Sequence, residues 1–129
     1  MDKCKILTAD LFEDKRGSIL SFYPDKNIVE YNLMITKKGD ARGHHYHPHF
    51  DEYMIVVDGE CLFKEYSDSI HEVVLTEGDS IHIPSGVAHT FVALTDFKFV
   101  SMLTNRWHES NPPIVKVDEN GNGITSSLR

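Results

Sequence analysis

The feature that most constrains this chain is its punctuation. Short apolar or alternating runs are cut off again and again by glycine, proline or clusters of Asp and Ser. Residues 18–23 end at Pro24 and Asp25. Residues 30–36 alternate, with Tyr31, Leu33 and Ile35 on one face and Asn32, Met34 and Thr36 on the other. The run 53–57 stops at Asp58 and Gly59, a pair that predicts a hairpin turn. Residues 61–66 run into Ser67, Asp68 and Ser69, residues 71–75 into Glu77, Gly78 and Asp79, and residues 80–83 into Pro84, Ser85 and Gly86. Residues 89–94 and 97–103 complete the set. No stretch sustains the 3.6-residue period of an amphipathic helix.

Eight to ten short strands are expected from this pattern, in an all-β fold. So many antiparallel strands must hide their edges, and two Greek keys closed into a jelly roll do so, leaving a barrel whose interior is a natural pocket. With 129 residues the chain has room for one domain. The barrel core is expected at about residues 14–104, and residues 105–129 read as an extension. Within that extension residues 111–129, with Pro112, Pro113 and the Asn120 to Gly123 stretch, are expected to pack loosely.

The formal net charge of -7 argues against a nucleic-acid partner. Two cysteines, Cys4 and Cys61, are too few for a disulfide framework and form no CxxC pair. No run approaches the length of a membrane span and no signal sequence is evident, so a cytoplasmic protein with free thiols is the expectation.

Chemistry concentrates in one segment. Gly43 is followed by His44, His45, Tyr46, His47, Pro48 and His49. Alternate residues of a strand share a face, so His45 and His47 are expected to point together. Glu52 lies at the mouth of the next strand, and His89 opens a later one. Three imidazoles and a carboxylate suit a first-row divalent ion such as Zn, Fe, Mn or Ni, with coordination positions left for water or substrate. His45, His47, Glu52 and His89 are therefore the candidate metal ligands.

These residues fall on two extended motifs. Gly39, His45, His47, Glu52 and Gly59 have the spacing of the first motif of the cupin superfamily, and Gly78, Pro84, Gly86 and His89 that of the second. Ala93 stands where the second motif ends in Asn, a place that is not a usual metal ligand in that family. The chain thus resembles a small cupin, which implies the jelly-roll barrel, the four-residue metal site and a homodimer. Asp14, Arg16 and Gly17 resemble a segment of sugar-nucleotide epimerases of the rhamnose-pathway type. Arg42, Gly43, His45 and Tyr46 resemble another segment of the same enzymes. Nucleotide-sugar 3,4-ketoisomerases carry a related pattern matched by Arg42, Gly43, His45 and His47. The metal-bearing cupin of capsule-sugar epimerase-reductases is matched at His45, His47 and Glu52. The rhamnose-type enzymes have Gln at the place of His47, and the ketoisomerases tend to have Gln at that of Glu52, so the metal-bearing branch is the nearest.

The resemblance implies proton transfer beside the ketone of a nucleotide-linked keto-sugar. Such a reaction needs a base and a positive group at the developing oxyanion. His82 is the first candidate base and Tyr46 the second. Arg42, Arg16 and Lys64 are candidate substrate-binding cations. Trp107 reads as a packed aromatic, and His44 and His49 as flanking groups. Two other classes compete: an iron-dependent cupin dioxygenase or lyase on a small molecule, and a non-enzymatic carbohydrate-binding cupin.

Overall fold

The structure, a computed structural model, describes residues 1–123. Its elements in chain order are β1 (Lys5–Ile6), β2 (Asp10–Asp14), β3 (Gly17–Ser21), β4 (Glu30–Thr36), β5 (Ala41–Tyr46), β6 (Glu52–Asp58), β7 (Cys61–Tyr66), β8 (Ile70–Leu75), β9 (Ser80–Ile83), β10 (Ala88–Ala93) and β11 (Phe97–Leu103), a 3-10 turn at Trp107–Glu109, and β12 (Val115–Lys116). One sheet has the order β1-β9-β6-β11-β4, and a second the order β12-β5-β10-β7-β8. All pairs in both are antiparallel. The strands β2 and β3 form a separate hairpin. The all-β jelly roll expected from the sequence is what the chain adopts. No helix among the described residues is long and apolar enough to cross a membrane.

Asp58 and Gly59 do not make a hairpin. The strands on either side of them, β6 and β7, belong to different sheets. Gly59 takes φ +82°, and the chain there turns a corner of the barrel and leaves its own sheet. A glycine turn supplies the backbone reversal for a corner as readily as for a hairpin, so the dipeptide alone does not select between them. Among the barrel strands, β7 and β8 are consecutive in the chain and also paired, across Ser67 to Ser69.

The core lies between the two sheets. Met54, Val56, Phe63, Leu75, Ile81, Ile83, Phe91, Ala93, Phe97 and Phe99 form it together with both cysteines. Four phenylalanines run through it in contact, with ring centroids 5.2 Å apart for Phe63 and Phe91, 5.0 Å for Phe91 and Phe99, and 4.9 Å for Phe97 and Phe99. Burying each such ring contributes roughly 1.5–3 kcal/mol. Cys4 and Cys61 are free thiols deep in this layer. Burial pushes the Cys61 thiol up to about 12, and raises that of Cys4 as well.

Strand β4 has its apolar parity reversed. Tyr31, Leu33 and Ile35 are 78%, 62% and 56% exposed, while Asn32 and Met34 face the barrel interior. The interior at this place is a cavity rather than a packed core, so its wall takes the more polar side of the strand.

The segment after residue 111 is better packed than its composition suggests. Ile114 and Val117 are buried, and β12 pairs with β5 in the register Val115 to Tyr46 and Lys116 to His45. Expectations for residues 124–129 fall outside the described residues.

Candidate metal centre

The cavity opens between the two sheets and has a volume of about 510 Å³. Strand β5 brings His45 to it, and His47 follows just beyond that strand's end. Strand β10 contributes His89, whose Cα is paired with that of His45. Strand β6 opens on Glu52. The local backbone is unusual where β5 meets β10. Gly43 takes φ +120°, His44 takes φ +55°, and the register slips between His89 and Thr90. A Cβ on Gly43 would lie 2.7 Å from the His89 carbonyl oxygen and 2.8 Å from the Thr90 Cα. Only glycine lets β5 approach β10 this closely, and that approach holds His45 against His89.

One ring nitrogen from each of His45, His47 and His89 lies within 4.8 Å of the other two. Glu52 Oε1 lies 3.2 Å from His47 Nε2 and 3.6 Å from His89 Nε2. The other carboxylate oxygen, Oε2, accepts a 2.6 Å hydrogen bond from Ser101 Oγ. Backbone carbonyls orient two of the rings. His47 Nδ1 donates to the Pro113 carbonyl at 3.1 Å, and His89 Nδ1 to that of Val87 at 2.9 Å. With those protons on Nδ1, each Nε2 turns its lone pair toward Glu52.

These residues fit a divalent cation. His89 Nε2 is buried and has no hydrogen-bond partner among the described residues, an expensive state for a polar atom. His47 lies between two acceptors, the Pro113 carbonyl and Glu52, so one imidazole proton leaves a lone pair facing a carboxylate. An ion between them would resolve both. Burial, with the charges of His89 and His47, pushes the His45 imidazole down to about 2, so that ring is neutral. Burial would raise the Glu52 carboxyl, but the neighbouring His47 and His89 imidazoles hold it well below the usual carboxylate range. A neutral His45 and an ionised Glu52 are protonation states that ligation needs.

Packing fixes the cluster from the sides. Phe50 stacks on His47 at 4.5 Å, Trp107 meets His47 edge-on at 5.9 Å, and Phe91 meets His89 edge-on at 5.6 Å. Arg42 lines the cavity near its rim, where Nε donates to Thr36 Oγ1 at 2.8 Å and Nη2 to the Ile35 carbonyl at 2.9 Å.

Four other candidates are not brought to this cavity. His82 lies between Ile81 and Ile83, both buried in the core, and strand alternation turns it to the opposite face of the sheet. There Nε2 is 2.7 Å from Asp51 Oδ2 and the ring stacks on Tyr53 at 4.4 Å. Lys26 Nζ joins the same carboxylate at 3.0 Å. Tyr46 follows His45 and faces away from it, packing against Tyr66, Ala88 and Val117. Lys64 lies between the core-facing Phe63 and the buried Glu65, so it points off the outer face, 3.6 Å from Glu72. Arg16 sits at the exposed tip of the β2–β3 hairpin, paired with Asp14. His44 and His49 flank the cluster, near Tyr66 and the Asn111 carbonyl.

Conversely, Glu30, Asn32, Ser101, Trp107 and His108 line the cavity without having been expected there. For Glu30 and Asn32 the signal was the polar parity of residues 30–36. Nothing local in the sequence marks the other three.

No curated protein sequence matches the chain at a significant level. Solved structures do resemble it. A 3,4-ketoisomerase from Helicobacter canadensis is 21% identical over 90% of this chain and 91% of its own, with a TM-score of 0.78. A dTDP-6-deoxy-D-glucose-3,5-epimerase from Legionella pneumophila is 20% identical over 100% and 81%, with a TM-score of 0.76. A TDP-quinovose 3,4-ketoisomerase from Campylobacter jejuni is 17% identical over 85% and 91%, also with a TM-score of 0.76. At these identities the likeness is one of fold. The family model for the cupin domain matches residues 32–103, a span that carries all four cluster residues, and the chain belongs to that family.

Proposed function

We propose that this chain is an epimerase or isomerase acting on a nucleotide-linked keto-sugar by proton transfer beside the carbonyl. The observation that carries the reading is the cluster of His45, His47, His89 and Glu52, of which His45, His47 and Glu52 line an open cavity of about 510 Å³ with His89 buried behind them. Its fold is shared with structures described as sugar-nucleotide ketoisomerases and epimerases, which supports the same class of substrate here.

A divalent cation held by the cluster would supply a Lewis acid for a ketone oxygen. The rest is done by the chain's own side chains. Arg42 offers a guanidinium near the rim, suited to a phosphate. Phe91, Phe99, Leu103 and Trp107 make the wall apolar and exclude water. With His82 and Tyr46 outside the cavity, His108 and Glu30 are the titratable groups in its wall, apart from Arg42 and the cluster, that can take or give the proton.

We also propose a homodimer. The outer face of β4 exposes Tyr31, Leu33 and Ile35, and the β2–β3 hairpin exposes Leu11, Phe12 and Ile19. Apolar surface of this extent is characteristic of an interface.

The test is to incubate the protein with dTDP-4-keto-6-deoxyglucose in D₂O and follow deuterium uptake at C3 by mass spectrometry, beside elemental analysis. Exchange that the His45→Ala variant has lost supports the reading. Absence of exchange, with bound iron and oxygen uptake, replaces it with oxygenase chemistry.

A further inference from the structure

Glu30 lies outside the imidazole cluster, yet it is held as firmly as a site residue. Its two oxygens are anchored separately: the Trp107 N–H donates to Oε1 at 2.9 Å and Asn32 Nδ2 to Oε2 at 2.9 Å. All three residues line the cavity. Register places Glu30 across from Leu103, and Leu103 across from Glu52. The two glutamates thus sit in one row over β4, β11 and β6, two interstrand spacings or about 10 Å apart.

Chemistry limits what this corner can bind. A carboxylate oxygen has two acceptor sites, so one donor each leaves Glu30 with acceptor capacity. Asn32 spends one Nδ2 hydrogen on Glu30 and retains the other together with the acceptor Oδ1, so it can meet a hydroxyl from either side. The Asn32 amide, the Trp107 N–H and the nearby His108 and Arg106 outweigh the effect of burial and hold the Glu30 carboxyl below the usual range, so it is anionic. A diphosphate brings only acceptors and negative charge, and is repelled here. A sugar ring brings hydroxyl donors, and its apolar C–H surface suits an indole. The opposite end of β4 differs. Arg42 is tied to Ile35 and Thr36, and five residues separate Glu30 from Ile35, about 17 Å along a strand.

We infer that Glu30, Asn32 and Trp107 form a sugar-ring subsite, with ring hydroxyls donating to Glu30 and the diphosphate lying toward Arg42. This orientation rests on the nucleotide-sugar reading and adds polarity to it. The ring occupies the row between Glu30 and the imidazole cluster, so Glu30 selects for hydroxyls on the side of the ring away from that cluster.

Trp107 is the only tryptophan in the chain, so its fluorescence reports on this corner directly. The experiment titrates the purified protein, carrying whatever metal it holds, with dTDP-glucose and with dTDP. It is repeated with Glu30→Gln, which keeps the shape and removes the charge. The expected result is a Trp107 response to dTDP-glucose that exceeds the response to dTDP. Glu30→Gln is expected to weaken dTDP-glucose binding roughly tenfold, as for loss of a hydrogen bond to a charged group, and to leave dTDP binding within twofold. If dTDP-glucose binds and Glu30→Gln leaves its affinity unchanged, or weakens both ligands equally, the subsite assignment is overturned and the proposed function stands. If the wild-type protein binds neither ligand, the nucleotide-sugar reading itself fails, and the assignment with it. Unaltered thermal unfolding of Glu30→Gln separates these results from misfolding.

Discussion

Ser101 Oγ donates a 2.6 Å hydrogen bond to Glu52 Oε2, which leaves Oε1 turned toward His47 and His89. The hydroxyl fixes which oxygen faces the cluster. Glu52→Gln should therefore abolish stoichiometric metal binding while the barrel stays folded, since charge is lost with little change in volume. Ser101→Ala should lower metal affinity by roughly 10–100-fold, the usual effect of removing a group that orients a ligand. Elemental analysis after dialysis, with circular dichroism for folding, checks both. Full metal occupancy in Glu52→Gln would remove Glu52 from the ligand set.

Acid should empty the same centre. In the fold His45 stays neutral down to about 2, whereas an unfolded histidine titrates near ~6.5. Between those values the unfolded chain binds the extra proton, so stability falls as pH drops below the histidine range. Proton competition for the imidazoles acts in the same direction on bound metal. The melting temperature of the metal-free protein should decline from pH 7 to pH 5, and metal release should follow the same range. A flat profile would contradict the buried neutral state of His45.

The His82–Asp51 pair on the outer face should matter for stability and not for turnover. Asp51 also accepts from Lys26 and from the Ser85 N–H, so it ties β9 and the loop after it to the start of β6. His82→Ala should cost about 1–3 kcal/mol in a urea melt, since it removes a hydrogen bond to a charged group and a ring stacked on Tyr53. Metal content and deuterium exchange should be unchanged. A loss of exchange without loss of stability would return His82 to the list of catalytic candidates.

Both thiols should be silent in the native protein. Cys4 and Cys61 are fully buried, and Cys61 titrates only near about 12. A disulfide-exchange reagent at pH 8 should detect none natively and both after denaturation. An unfolded cysteine ionises near ~8.5, so above that pH the unfolded chain sheds protons that the fold retains, and stability should fall as pH rises further. Rapid native labelling of either thiol would show that the core opens.

Placing a charge on the outer face of β4 should separate the protomers. Leu33→Glu is expected to halve the mass seen by light scattering, with the fold and metal site intact. A wild-type monomer would remove the dimer proposal.

The cluster was legible because its residues lie on two spaced motifs. His45 and His47 sit seven and five residues from Glu52, and the turn at Pro84 to Gly86 announces His89. The rest was hidden by reach. His82 and Lys64 have suitable chemistry, but strand parity turns them outward, and parity is set by which neighbours pack, as Ile81, Ile83 and Phe63 show. Glu30 and Trp107 are 77 residues apart and meet only through the fold. The reversed parity of β4 misleads any reading that sends apolar residues inward, because the interior there is a cavity.

The bond from His47 Nδ1 to the Pro113 carbonyl spans 66 residues. As the chain emerges from the ribosome, all four cluster residues are present once residue 89 has followed. The carbonyl that sets the tautomer of His47 arrives later, with the segment that pairs Val115 to Tyr46. The residues of every strand through β11 precede Pro113 in the chain. A metal held by the cluster would then gain its fully oriented ligand set only once that last segment has docked, so a barrel lacking it would be a weaker competitor for metal.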